Sequence, residues 1–196
     1  MLGLTAAVLL SINLNAQEPA QTAPATTKSN TGLVWSVGLS GSVVDDDGEP
    51  FKNLFNVGES WHFLPFPTRV HVDVAINPKW SFEAALTYNM MQAGKMLNNV
   101  ELTEDQQFVA FDANAKYHFL GESKVFDPYG VAGLGFTFRS ALQYQTPTLN
   151  AGIGANIWLV PSFGLNLQST VKLKMISNSS SYMLHSFGVV YKFGQN

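Results

Sequence analysis

Residues 163–193 hold two consecutive runs in which apolar and polar side chains alternate with period two, and that pattern restricts the chain to a sheet facing two different environments. In the first run Phe163, Leu165, Leu167, Ser169, Val171, Leu173 and Met175 share one face, opposed by Gly164, Asn166, Gln168, Thr170, Lys172 and Lys174. In the second, Met183, His185, Phe187, Val189, Tyr191 and Phe193 oppose Leu184, Ser186, Gly188, Val190 and Lys192. Each run is about 11 residues long, twice the usual soluble strand of about 5–6 and enough to cross a bilayer when tilted. An open sheet in lipid leaves its edge N–H and C=O groups unpaired, so strands of this kind close into a barrel.

Six further runs follow the same rule. Residues 33–44 place Trp35, Val37, Leu39, Gly41 and Val43 on the lipid face, residues 68–77 place Val70, Val72, Val74 and Ile76 there, and residues 80–91 place Trp80, Phe82, Ala84, Leu86, Tyr88 and Met90 there. Residues 107–119, 128–138 and 148–160 complete the set. The glycine-rich run 128–138 is ambiguous in phase near Gly133, where a bulge is expected. Long connections (45–66, 92–106, 139–147) alternate with short ones (77–79, 121–127, Pro161-Ser162), the asymmetry of a membrane barrel with long outer loops and short periplasmic turns. The predicted fold is an all-β, eight-stranded, antiparallel up-and-down transmembrane β-barrel. With the N-terminus periplasmic, Trp35, Trp80, Tyr117, Phe119, Phe163, Tyr191 and Phe193 gather at the periplasmic end as an aromatic girdle.

The apolar run 2–14 followed by Asn15-Ala16-Gln17 reads as a secretory signal peptide cleaved after Ala16, although it lacks a positive n-region. The predicted organisation is a signal peptide at 1–16, a flexible periplasmic lead at 17–31, the barrel at 32–194 and a tail at 195–196. A mean hydropathy of +0.06 suits a barrel, whose lipid-facing and lumen-facing residues cancel. The absence of cysteine removes disulfide scaffolds, thiolate metal sites and Cys nucleophiles. A net charge of −3 gives no reason to expect nucleic acid.

The inward set Arg69, Asp73, Glu83, Asp112, Lys116, Lys172, Lys174 and Lys192 mixes both signs inside a barrel just wide enough to be filled by side chains. It predicts a salt-bridged, hydrogen-bonded lumen, with a narrow ion path as the alternative. Glu83 and Asp112 lie mid-strand without a cleft or nucleophile motif, which argues against a carboxylate acid/base pair. His62, His71, His118 and His185 lack metal-ligand spacing, and His185 falls on the lipid phase near the outer rim. Asp45, Asp46, Asp47 and Glu49 read as a solvated acidic loop rather than a calcium loop. No catalytic, cofactor or metal residues are assigned.

The segments WHFLPFPTR (61–69), PYGVAGLG (128–135), LNAGIGANIWLVPSFGLNLQS (149–169) and HSFGVVYKFG (185–194) resemble the small OmpA-like outer-membrane β-barrels of Gram-negative bacteria. The resemblance implies a cell outer-membrane location and contact with outer-membrane lipid. It also implies that Phe187, Val189, Tyr191 and Phe193 act as the assembly signal of the last strand. Relatives often continue into a peptidoglycan-binding domain; the sequence ends at Asn196, and cell-wall tethering is not expected.

Loop 45–66 carries the densest aromatic cluster outside the strands, with Phe51, Phe55, Trp61 and Phe63 as candidate partner-docking residues and Phe66 beside them. The functional expectation is therefore a non-enzymatic structural or interaction barrel, an accessory subunit of a larger outer-membrane complex. The alternative is a membrane-embedded transport barrel with a narrow pore, or a barrel that modifies lipid at its outer rim.

Overall fold

The computed structural model describes residues 33–46, 56–97, 100–121, 125–140, 145–177 and 179–194. The expected signal peptide, its cleavage site and the periplasmic lead lie outside these residues, as do Phe51, Phe55, Asp47 and Glu49.

Eight long strands form the wall: β1 (Val34–Asp45), β3 (Arg69–Asn77), β4 (Trp80–Met91), β7 (Gln106–His118), β8 (Phe126–Arg139), β9 (Gln145–Val160), β10 (Phe163–Lys174) and β11 (Tyr182–Phe193). Three short strands, β2 (Trp61–Phe63), β5 (Met96–Leu97) and β6 (Val100–Glu101), lie in the long connections. Each long strand pairs antiparallel with its neighbours in chain order, and β11 returns to β1 from Trp35↔Phe193 to Asp45↔Met183. This last pairing closes the sheet, and closure satisfies the edge groups that lipid cannot.

Alternation sets the two faces as the sequence implies. On β4, Ser81, Glu83, Ala85, Thr87 and Asn89 are buried while Trp80, Phe82, Ala84, Leu86 and Tyr88 are exposed. The register gathers the lower aromatics: Trp35 opposes Phe193, Phe163 opposes Tyr191, and Trp80 opposes Tyr117 with ring centroids 5.0 Å apart.

Gly133 carries no bulge. The ladder runs unbroken through Asn114↔Gly133↔Asn150, and the register shifts fall instead at two periplasmic turns, between Ala75 and Asn77 and between Phe163 and Gly164. Gly133 and Gly135 both face inward, where a Cβ would run into Ala113 O and Asn114 at the first position and the Asp112 carboxylate at the second. Their role is to clear lumen space for larger polar neighbours rather than to bend the strand.

The outer end departs further from expectation. The long connection after β1 is not all loop: β2 extends the line of β3 along the upper part of β1, with Val43↔Phe63 and Asp45↔Trp61. Where β1 changes partner, the Thr68 hydroxyl accepts from Ser42 N (3.0 Å) and Asn89 Nδ2 donates to the Ser42 and His62 carbonyls (3.1 Å each), so side chains replace the missing ladder bonds. The connection expected at 92–106 contains the β5–β6 hairpin, entered through Gly94 at φ 78°, a left-handed conformation that glycine adopts without steric cost. Arg139 and residues 145–147, expected in a loop, belong to β8 and β9.

Candidate functional site

The lumen is a continuous polar network. Arg69 of β3 donates to Glu83 Oε1 at 2.8 Å and to Thr87 at 3.3 Å, and its other terminal nitrogen stands 3.5 Å from Asp112 Oδ2. Lys116 Nζ lies 2.7 Å from both Asp73 Oδ1 and Glu83 Oε2 and sits 4.8 Å above the Tyr129 ring. Lys172 donates to Asp112 Oδ1. Amides extend the network around the wall: Asn114 donates to Glu83 (2.8 Å), Asn150 to Asp112 (3.0 Å) and Asn114 (2.9 Å), and Asn166 to Tyr129 (2.8 Å), whose hydroxyl donates to Gln168 (3.1 Å).

Three cations, Arg69, Lys116 and Lys172, thus face three carboxylates, Asp73, Glu83 and Asp112, and all six residues are buried. Desolvating any one of them alone would cost several kcal/mol, and pairing at close range is what offsets that cost. His71, Asp73 and Glu83 bring donor atoms within 4.8 Å of one another, an arrangement that in isolation would suit a metal ion. The cation those carboxylates already hold is the Lys116 ammonium. The ring of His71 fills the space left by Gly38, the residue directly across the ladder, where an added Cβ would overlap it.

Two of the expected lumen cations stand at the ends of the barrel, outside the central network. Lys174 is exposed at the outer end of β10, and Lys192 sits at the periplasmic mouth with its ammonium 4.0 Å above the Trp158 ring. Alternation assigns a residue to a face but not to a depth, and both occupy strand ends. The same blind spot hid cations and carboxylates that do enter the interior. Asp46 and Arg139 pair at 2.7 Å near the outer end, with Ser180 accepting from Arg139 (2.5 Å) and donating to Asp46 (2.7 Å). At the lower mouth His118 pairs with Asp127 at 2.8 Å. Asp45 and Asp46 are consequently buried, not part of a solvated acidic loop.

Above the network the outer mouth is filled by an apolar cluster, Val44, Met91, Leu97, Leu102, Phe108, Ala110, Tyr182 and Leu184. His62 points into this cap, where its Nδ1 accepts from Gln92 N (3.0 Å) and its Nε2–H donates to Met96 O (3.0 Å). That pattern needs the neutral ring, and burial lowers the His62 pKa below its ordinary value, partly opposed by the backbone bond to Met96.

On the outer wall, Trp61 is half-buried rather than free: its indole donates to Asp45 Oδ2 at 3.0 Å and its ring lies 5.7 Å from that of His185. Phe63 and Phe66 are exposed, at 43% and 53%. Phe187, Val189, Tyr191 and Phe193 form an exposed outward row on β11.

Residues 4–193 match the model of the outer membrane protein beta-barrel domain. The chain belongs to that family. It therefore resides in the outer membrane of a Gram-negative cell, with its outward face in the lipid bilayer. No curated protein sequence matches the chain. Among solved structures it is similar to the outer membrane protein OprG of Pseudomonas aeruginosa, at 14% identity and a TM-score of 0.56, covering 84% of this chain and 97% of that one. It is also similar to Neisserial surface protein A, at 17% identity and a TM-score of 0.55, covering 82% and 97%. Likeness at this identity concerns the fold.

Removing one partner of the lumen network leaves buried charge uncompensated, whereas an exposed rim lysine has little to lose. Lys116→Met is expected to lower unfolding stability in detergent by about 3–5 kcal/mol. Lys174→Met is expected to stay within about 0.5 kcal/mol of the wild type. Urea titration followed by gel mobility of the folded form measures both, and equal effects would remove the special standing of the network.

Proposed function

We propose that the protein is a non-conducting, non-enzymatic barrel that serves as an accessory subunit of a larger outer-membrane assembly. The observation that carries this reading is the charge-balanced, buried lumen: three cations and three carboxylates hold one another, and an apolar cap lies over them. Carboxylates engaged in this way are poorly disposed to act as proton carriers or as a selective ion path. The wall and its rim then remain as the working surface. Of the candidate docking residues, Trp61 is held by Asp45 and Phe63 projects from the rim beside Phe66, so the contact with a partner is assigned to Phe63 and Phe66.

Purified protein in planar bilayers should give no reproducible conductance at neutral pH; stable channels would defeat the closed-lumen reading. Phe63→Ala combined with Phe66→Ala should leave the barrel folded and remove a specific outer-membrane protein from mild-detergent pull-downs. Retention of every wild-type partner would end the docking assignment.

The last strand is also proposed as the assembly signal, through the outward row Phe187, Val189, Tyr191 and Phe193. Phe193→Asp should reduce outer-membrane levels of the protein, because a charge on the lipid face adds an insertion cost. Unchanged levels of that variant would contradict the proposal.

A further inference from the structure

One polar pair stands on the wrong side of the wall. Ser169 of β10 and His185 of β11 oppose each other directly on the lipid face, with Ser169 Oγ 2.9 Å from His185 Nδ1. One ring nitrogen is thereby engaged. The ring lines an outward groove of about 790 Å³, whose other walls include Gly41, Phe63, Ile153, Ala155, Leu167 and Phe187. Gly41 and Ala155 flank the Phe187–Leu167 pair in one cross-strand row, and their small size leaves the space beside it open. Its volume lies within the range of about 300–1,000 Å³ common for ligand sites.

The height of the pair defines what surrounds it. His185 lies eight positions along β11 from Phe193 in the lower girdle, which at about 3.3 Å per residue and a tilt of about 40° is about 20 Å above it. The apolar band of an outer-membrane barrel is about 25 Å tall, so the pair stands where outer-leaflet acyl chains meet their ester and head-group atoms. In the tautomer where the Ser169 hydroxyl donates to Nδ1, Nε2 carries the hydrogen; a polar N–H at that depth is costly unless something accepts from it, and the acceptors available there are lipid carbonyl and phosphoryl oxygens. A cation stands beside Phe63, one wall of the groove: Lys95 Nζ donates to Trp61 O (2.5 Å) and lies 5.5 Å from the Phe63 ring centroid. Its ammonium has three donors, and one is used by that carbonyl.

We infer that this groove binds one phosphate-bearing acyl-ester lipid of the outer leaflet, its chain packed against Leu167 and Phe187, its ester accepting from His185 and its phosphate facing Lys95. Trp61, held by Asp45, supports the far side of the imidazole, so the β2 segment that sequence patterning reads as loop becomes one wall of the site. A second outward groove, of about 560 Å³ and lined by Val70, Val72, Leu86, Phe111, Leu134 and Phe136, offers a built-in comparison. Its outward residues are apolar, and it provides no donor for a head group.

The full chain in vesicles of phosphatidylcholine, doped with phosphatidylglycerol carrying a photoactivatable group on its acyl chain, tests this directly. Label should accumulate about threefold more on Leu167 and Phe187 than on Leu86 and Phe111, a difference in occupancy that modest differential affinity produces. His185→Phe should bring that ratio to about one while the barrel keeps its folded gel mobility, and Ser169→Ala, which frees the ring, should lower it as well. A labelled diacylglycerol lacking phosphate should show no preference for the groove. Equal labelling of both grooves in the wild type, an unchanged ratio in both variants, or equal enrichment of the phosphate-free lipid would overturn the proposal.

Discussion

Everything inside this barrel depends on one constraint: eight strands enclose a space that side chains fill, and each charge placed there must find its opposite within that space. Lys116 illustrates it. Its ammonium bridges Asp73 and Glu83 at 2.7 Å each, and Glu83 in turn accepts from Arg69 and Asn114. The carboxylate therefore ties β3, β4 and β7 together from within, across the same strands that the backbone ladder joins from outside. The absent Cβ atoms at Gly38, Gly133 and Gly135 belong to the same arrangement, since each leaves room for a larger polar neighbour opposite.

The ends of the barrel are built differently. At the outer end the ladder from β1 to β3 is interrupted, and Thr68, Asn89 and His62 satisfy backbone groups that lipid could not. The β5–β6 connection brings Leu97 and Leu102 over the mouth, so the polar column is covered by apolar side chains. This construction gives the rim two surfaces. Inward it buries His62 and the Asp46–Arg139 pair, and outward it presents Phe63, Lys95 and the Trp61–His185 contact.

Fold and face were legible in the sequence because a period of two is imposed by the strand itself, and eight such runs with alternating connection lengths leave few other architectures. Six of the eight expected lumen charges follow from that pattern. Lys192 also lies on the inward face, but at the lower mouth, and Lys174 is exposed at the outer end, because alternation carries no information about depth. Asp46 and Arg139 were hidden for the converse reason: polar residues beside a presumed loop read as solvated, and only long-range contact across residues far apart in sequence reveals their pairing. Gly133 misled because glycine in a strand signals either a bulge or a close neighbour, and the neighbour, Asn114, lies on another strand. The Ser169–His185 pair was visible as two polar residues on the lipid phase, but its hydrogen bond depends on the β10–β11 register.

If the lumen charges act as one unit, their energies cannot be additive. A double-mutant cycle on Lys116→Met and Glu83→Gln, read from unfolding midpoints in the same detergent, measures that coupling without reference to any partner or ligand. Mutual compensation makes each single change strongly destabilising and lets the double variant recover about 1–3 kcal/mol relative to their sum. Additivity within about 0.5 kcal/mol would mean that the two side chains are stabilised independently, and would contradict a lumen held together by mutual compensation of buried charge.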